Sequence, residues 1–186
     1  MIRPTITAFF LAAAALPAQA DEISDTIQSA LDAYNAGDTT FAAEELAFAQ
    51  QLLQEMSAMD LSDCLPDAPP GWTREVNTEM NAGLTMMGGG VGAEAEYSDG
   101  STTFTVRVMA DNPMVTAMAG MLSNTALMAA MGKMTRVGRQ KFVEQDGTMS
   151  TLVNNRVLVQ AEGADPAVML PVLEAIDYRK LGQFGT

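Results

Sequence analysis

Apolar residues recur with two different periods in this chain, and the change falls at a proline-rich break. Ile23, Ile27, Leu31 and Tyr34 are spaced by four, four and three, which predicts one stripe along an α-helix. Asn35-Ala36-Gly37-Asp38 interrupts the pattern, with Gly37 suited to a left-handed helix end and Asp38 or Thr39 to the next cap. Phe41, Leu46, Ala49, Leu52, Leu53 and Met56 then fall on a second helix, with Glu44 and Glu45 in its early turns. So short a turn predicts an antiparallel αα-hairpin over residues 21–61. Pro66, Pro69, Pro70 and Gly71 make residues 62–73 an extended connector, anchored on the core by Trp72.

From residue 74 to 186 the dominant period is two. Phe104, Val106, Val108 and Ala110 alternate with Thr103, Thr105, Arg107 and Met109 after the hairpin turn Asp99-Gly100. A second β region starts at Thr135, contains Phe142-Val143 and turns at Asp146-Gly147 and Asn154-Asn155. Val157 to Gln160 is apolar on both faces, which predicts a central strand. Asn81-Ala82-Gly83 reads as a turn. The uncharged run 113–131 opens with Pro113 after a cap at Asp111 or Asn112, and Ser123-Asn124 splits it into two short helices. A last helix runs from Asp165-Pro166 to Ile176. The expected class is α+β: an N-terminal αα-hairpin followed by an antiparallel sheet covered on one face by helices.

Residues 1–20 have the composition of a cleavable export signal: Arg3, an apolar run from Ile6 to Leu16, and Ala18-Gln19-Ala20 before Asp21. The expected location is the periplasm. A lone cysteine, Cys64, cannot form an internal disulfide, and it lies far from the cleavage site, where a lipoprotein would need it. Cys64 reads as a buried small hydrophobe or a free thiol.

The net charge is −13, and one unit more negative once Arg3 is removed. Such a chain repels nucleic acid and anionic lipid headgroups. The acidic residues read as spread along the chain, so solubility accounts for them, and a cationic partner is compatible. Histidine is absent, which excludes Ser-His-Asp and Cys-His catalysis and histidine metal sites.

The run Ala33-Tyr34, Ala36-Gly37-Asp38, Ala42 or Ala43, Leu46, Ala49 and Leu52 resembles a single tetratricopeptide repeat. With no second copy, that resemblance implies a hairpin that docks on its own domain or on a second subunit, not a peptide-binding array. The order of elements and Pro69-Pro70-Gly71-Trp72 are broadly similar to small exported α+β domains of the PsbP/Mog1 type. The whole chain resembles the uncharacterised exported bacterial proteins that join a helical hairpin to an α+β body, a resemblance that implies no activity.

Fifteen methionines are the compositional anomaly. Met114, Met118, Met121, Met128 and Met131 fall mostly on one helical face, and Met114, Met118 and Met121 share it with Leu122. Core packing is the leading account, a partner-binding or bilayer-touching surface the next, and a Cu(I) site the third. Gly88, Gly89, Gly90 and Gly92 lack the lysine of a P-loop and read as a mobile loop or bulged strand entry. Glu94 and Glu96 read as a solvated strand face, and Asp60 and Asp63 beside Cys64 lack further ligands.

No catalytic and no cofactor-binding residue is assigned. The leading expectation is a non-enzymatic exported protein that binds a protein partner through Tyr34 and Leu46 of the hairpin or through Met118, Met121 and Leu122. The alternative is a soft-metal or small-ligand carrier, and a histidine-free hydrolase is third.

Overall fold

The chain is α+β: α1 (Ala18–Ala36), α2 (Thr39–Ser62), β1 (Thr73–Asn77), α3 (Met80–Met86), β2 (Val91–Ser98), β3 (Thr103–Ala110), α4 (Pro113–Leu122), α5 (Thr125–Met131), β4 (Lys133–Val137), β5 (Gln140–Gln145), β6 (Thr148–Val153), β7 (Val157–Glu162), α6 (Pro166–Ala175) and α7 (Tyr178–Gly182). This computed structural model describes residues 18–77, 79–86 and 88–185. Of the expected signal segment 1–20, residues 1–17 therefore lie outside the described residues, and 18–20 open α1. The chain divides into two compact units at Leu53/Gln54, inside α2.

In the first unit, α1 and α2 meet at a two-residue turn. Gly37 has φ +86, a left-handed conformation that lets its N–H donate to Tyr34 O and the Asp38 N–H to Ala33 O. The Asp38 carboxylate accepts from the Phe41 N–H at 3.0 Å and so caps α2. The buried positions are Ile23, Thr26, Ala30 and Ala33 on α1, and Ala42 and Ala49 on α2. They are spaced three, four and three on α1 and seven on α2, at matching distances from the turn. That is the pattern of two antiparallel helices facing each other.

The second unit is built on a seven-stranded antiparallel sheet in the order β1-β2-β3-β7-β6-β5-β4. β7 is central, as its two apolar faces require. Tight turns at Asp99-Gly100, Asp146-Gly147 and Asn154-Asn155 join neighbouring strands. At the first, the Asp99 carboxylate accepts from the N–H groups of Ser101 and Thr102.

Helices lie on both faces of the sheet, not on one. On the first face Tyr97, Phe104, Val106, Val108, Phe142 and Met149 pack with Leu61, Leu65, Met169, Leu173 and Leu181, from the end of α2, the connector after it, α6 and α7. On the second face Met109, Val143 and Leu158 pack with Leu84, Val115, Leu122 and Met128, from α3, α4 and α5. A strand alternates sides at every residue, so Met109 and Leu158 had to find a second core. Trp72 does anchor the connector, edge-on to Phe104 with ring centroids 5.4 Å apart.

Residues 81–83 are helical, within α3, and do not form a turn. The Asn81 side chain bonds both the N–H and the C=O of Gly92 on β2, so tertiary contact overrides the turn signal. The 113–131 run does split, at Ser123, with Asn112 and Asn124 capping the two helices. No single helix among the described residues is long and apolar enough to cross a membrane; α4 and α5 together reach the length but are bent by 99°.

Candidate functional site: the outer surface of the helical hairpin

The hairpin unit buries small side chains and leaves large ones outside. Alanine supplies most of its buried positions. Ile27, Leu31, Tyr34, Phe41, Leu46, Phe48 and Leu53 are all exposed, Tyr34 at 66% and Leu46 at 56%. The apolar stripe expected on α1 therefore does not pack inward: only Ile23 is buried, and Ile27, Leu31 and Tyr34 form a separate exposed stripe. The physical reason lies in the pitch. Ala30 and Ala33 turn to the buried side, and residues one position away point roughly 100° off it.

Helical geometry arranges the exposed residues on two sides. Ile27, Leu31 and Tyr34 are one stripe of α1, and Leu46 and Leu53, seven apart, lie on the corresponding side of α2. Phe41 and Phe48, also seven apart, lie on the opposite side. There Phe41 borders an open groove of about 580 Å³ with Ala33, Ala36 and the carboxylates of Asp25, Asp32 and Asp38.

The charge of the chain is segregated, not spread. Between Asp21 and Leu53 there are seven acidic residues and no lysine or arginine. The run without a basic residue continues to Arg74, and by Thr73 the acidic count is eleven. The remaining 113 residues carry twelve acidic and nine basic side chains. That asymmetry was the missed sequence signal, visible by counting charges per segment instead of over the chain.

The methionine candidates separate in space. Met118 and Met131, with Leu122, Val143, Thr148, Ser150 and Gln160, line a cleft of about 280 Å³ against the second sheet face. Met128 is buried in the core, and Met114 and Met121 are exposed. Met114, Met118, Met121 and Leu122 thus do not share one environment. Leu122, expected on a docking face, is 5% exposed and packs with Val115, so it is unavailable to a partner. Within the cleft Gln160 Nε2 donates to Ser150 Oγ at 3.3 Å.

The other residues singled out have local structural roles. Glu94 Oε2 accepts from Arg107 Nε at 3.1 Å, while Glu96 is exposed. Cys64 is buried, its Sγ donates to Asp60 O, and burial pushes the thiol pKa up. Among the described residues no group of three or more His, Cys, Asp or Glu side chains could hold a metal ion.

Comparison with protein-family models, with curated proteins and with solved structures returned no match for this chain.

Proposed function

We propose that this is an exported, periplasmic, non-enzymatic protein that binds a protein partner through its helical hairpin. One observation carries the reading: the hairpin buries alanines and exposes Ile27, Leu31, Tyr34, Leu46 and Leu53. Large apolar side chains in water are costly, and contiguous exposed patches mark interaction surfaces. Tyrosine beside leucines suits the centre of a protein interface.

The test is a photo-crosslinking residue placed at Tyr34 or at Leu46 in cells that express the protein. The expected result is a single adduct of defined mass that Leu31→Ser with Leu53→Ser abolishes, with no such adduct from Lys133 on the sheet unit. Adducts from Lys133 alone would overturn the hairpin assignment. Intact mass of the cell-envelope fraction, beginning at Asp21, tests export separately.

A second reading attaches to the cleft beside Met118 and Met131, whose apolar wall, Ser150–Gln160 pair and bordering Asp146 suit a small amphipathic ligand. Ligand retained through native purification and lost in Gln160→Leu would favour that carrier reading.

A further inference from the structure

The cleft on the second sheet face holds hydrogen-bonding groups that the fold itself leaves unused. Met118, Met131 and Val143 give it an apolar wall. A cross-strand row lines its floor: Gln160 on β7 lies opposite Ser150 on β6, and Ser150 lies opposite Val143 on β5. Ser150 is only 6% exposed, and its Oγ accepts from Gln160 Nε2 at 3.3 Å. Among the described residues that hydroxyl donates to no acceptor, and Gln160 Oε1 accepts from no donor. Polar groups held against an apolar wall are costly to leave without partners.

The charge around the cleft has one sign. Asp146, at the β5–β6 turn, borders it, and among the described residues no lysine or arginine does. Asp146 makes no ion pair among them either. The basic residue opposite Gln160, Arg107 on β3, is held by Glu94 at 3.1 Å and Glu162 at 3.4 Å. An anionic ligand would therefore meet a carboxylate with no free cation to answer it. The volume, about 280 Å³, admits a small molecule and no protein segment.

We propose that the cleft binds a small organic cation, a primary amine on a short apolar chain that ends in a hydroxyl or carbonyl group. The ammonium pairs with Asp146, the chain lies along Met118 and Met131, and the far end meets the Ser150–Gln160 pair. Unbranched thioethers adapt to such a chain without fixing its shape. Ser150 is four residues from Asp146, so the two ends lie within about 13 Å of each other. This rests on the cleft reading above, is independent of the hairpin, and adds the charge and length of the ligand.

The experiment titrates the purified protein, with its methionine methyl groups labelled for NMR, with aminohexanol, hexanediol and hydroxyhexanoate. Each probe carries its two groups at opposite ends of the same chain. Aminohexanol is expected to bind about tenfold more tightly than hexanediol, with hydroxyhexanoate weakest. The Met118 and Met131 methyl signals should move, while those of Met149 and Met169, buried on the other sheet face, stay still and report an intact fold. Asp146→Asn should bring aminohexanol to the level of hexanediol and leave hexanediol unchanged. Asparagine tolerates the left-handed backbone, φ +50, that Asp146 adopts. Glu96→Gln removes the same charge from an exposed position outside the cleft and should keep the tenfold preference. Gln160→Leu should weaken aminohexanol and hexanediol alike.

Equal binding of aminohexanol and hexanediol would overturn the cationic ligand while sparing the cleft as a binding site. A preference that Glu96→Gln abolishes as fully as Asp146→Asn would reduce it to general attraction by an acidic protein and overturn the role of Asp146. No movement of Met118 or Met131 with any of the three probes would overturn the cleft reading as well.

Discussion

Arg156 grips Asp111 through two parallel hydrogen bonds, Nε to Oδ1 at 2.7 Å and Nη2 to Oδ2 at 2.7 Å. Asp111 sits at the end of β3 with φ +54, and Arg156 Nη1 also donates to the carbonyls of Phe184 and Gly185. One guanidinium thus ties a strand end, the entry to β7 and the chain's last described residues. The Asp111 carboxyl is held below the usual carboxylate range, chiefly by its hydrogen bond to Arg156. A depressed carboxylate contributes stability that is present above the unfolded pKa and lost as pH falls through the folded one. Both side chains are more than a third exposed, so the pair is worth about 0.5–1 kcal/mol. Arg156→Ala should lower stability by that amount at neutral pH and flatten its decline below about pH 4. Denaturant melts of both proteins between neutral and acid pH would show it. An unchanged acid limb in Arg156→Ala would refute the assignment.

The hairpin should respond very unequally to changes one residue apart. Ala30→Leu inserts volume at a buried position and should cost about 1–3 kcal/mol. Leu31→Ser, on the exposed stripe, should change stability by less than about 0.5 kcal/mol. Urea midpoints decide; a larger loss from Leu31→Ser would mean that the stripe is packed.

Two glycines should differ in what replacement costs. At Gly37 a Cβ would meet nothing within 4 Å, so Gly37→Val should cost only backbone strain, about 1–2 kcal/mol. At Gly90, φ +105, a Cβ would lie 2.7 Å from Asn112 Cβ and 2.9 Å from Ala110 O. Gly90→Val should therefore exceed Gly37→Val by at least about 1 kcal/mol. Equal thermal shifts would contradict the close approach.

Cys64 should be inert while the protein is folded. Its thiol is buried, and burial raises its pKa, so little thiolate exists near neutrality. A chromogenic disulfide reagent should react only after denaturant is added; prompt native-state reaction would show that the thiol is open.

Dilute peroxide should sort the methionines by position. Met86, 91% exposed, with Met114 and Met121, should oxidise in the native state, whereas Met109, Met128, Met149 and Met169 should wait for unfolding. Peptide mass spectrometry reads each site. Early oxidation of Met128 would contradict its burial.

The sheet was largely legible because its signals are local. Asp99-Gly100 and Asn154-Asn155 mark turns through their own backbone preferences, and the double-faced apolarity of Val157 to Gln160 marks a central strand. The split at Ser123 follows from Asn124, a capping residue in an uncharged run. What escaped depends on contacts distant in sequence. Asn81 belongs to a helix because Gly92 takes both of its hydrogen-bonding groups. The site was half visible. Tyr34 and Leu46, expected on a docking surface, are exposed, but periodicity alone could not say that the stripe beginning at Ile23 turns outward after it. A helix with alanines at 30 and 33 and large residues at 31 and 34 has two candidate inner faces, and only packing selects one.

The place of β7 in the sheet sets the order in which the body can be completed. β1-β2-β3 and β4-β5-β6 are each meanders of neighbours, able to form as soon as their own residues are available. No strand pairing joins them until the last strand arrives, when Thr105 meets Glu162 and Met149 meets Ala161. Before that moment β3 and β6 are open edges with apolar side chains, the condition in which strands pair with the wrong neighbour. A chain synthesised from its N-terminus delivers β7 late, so both meanders wait with open edges. Their protection during that interval is a kinetic demand that the finished, edge-paired sheet no longer displays.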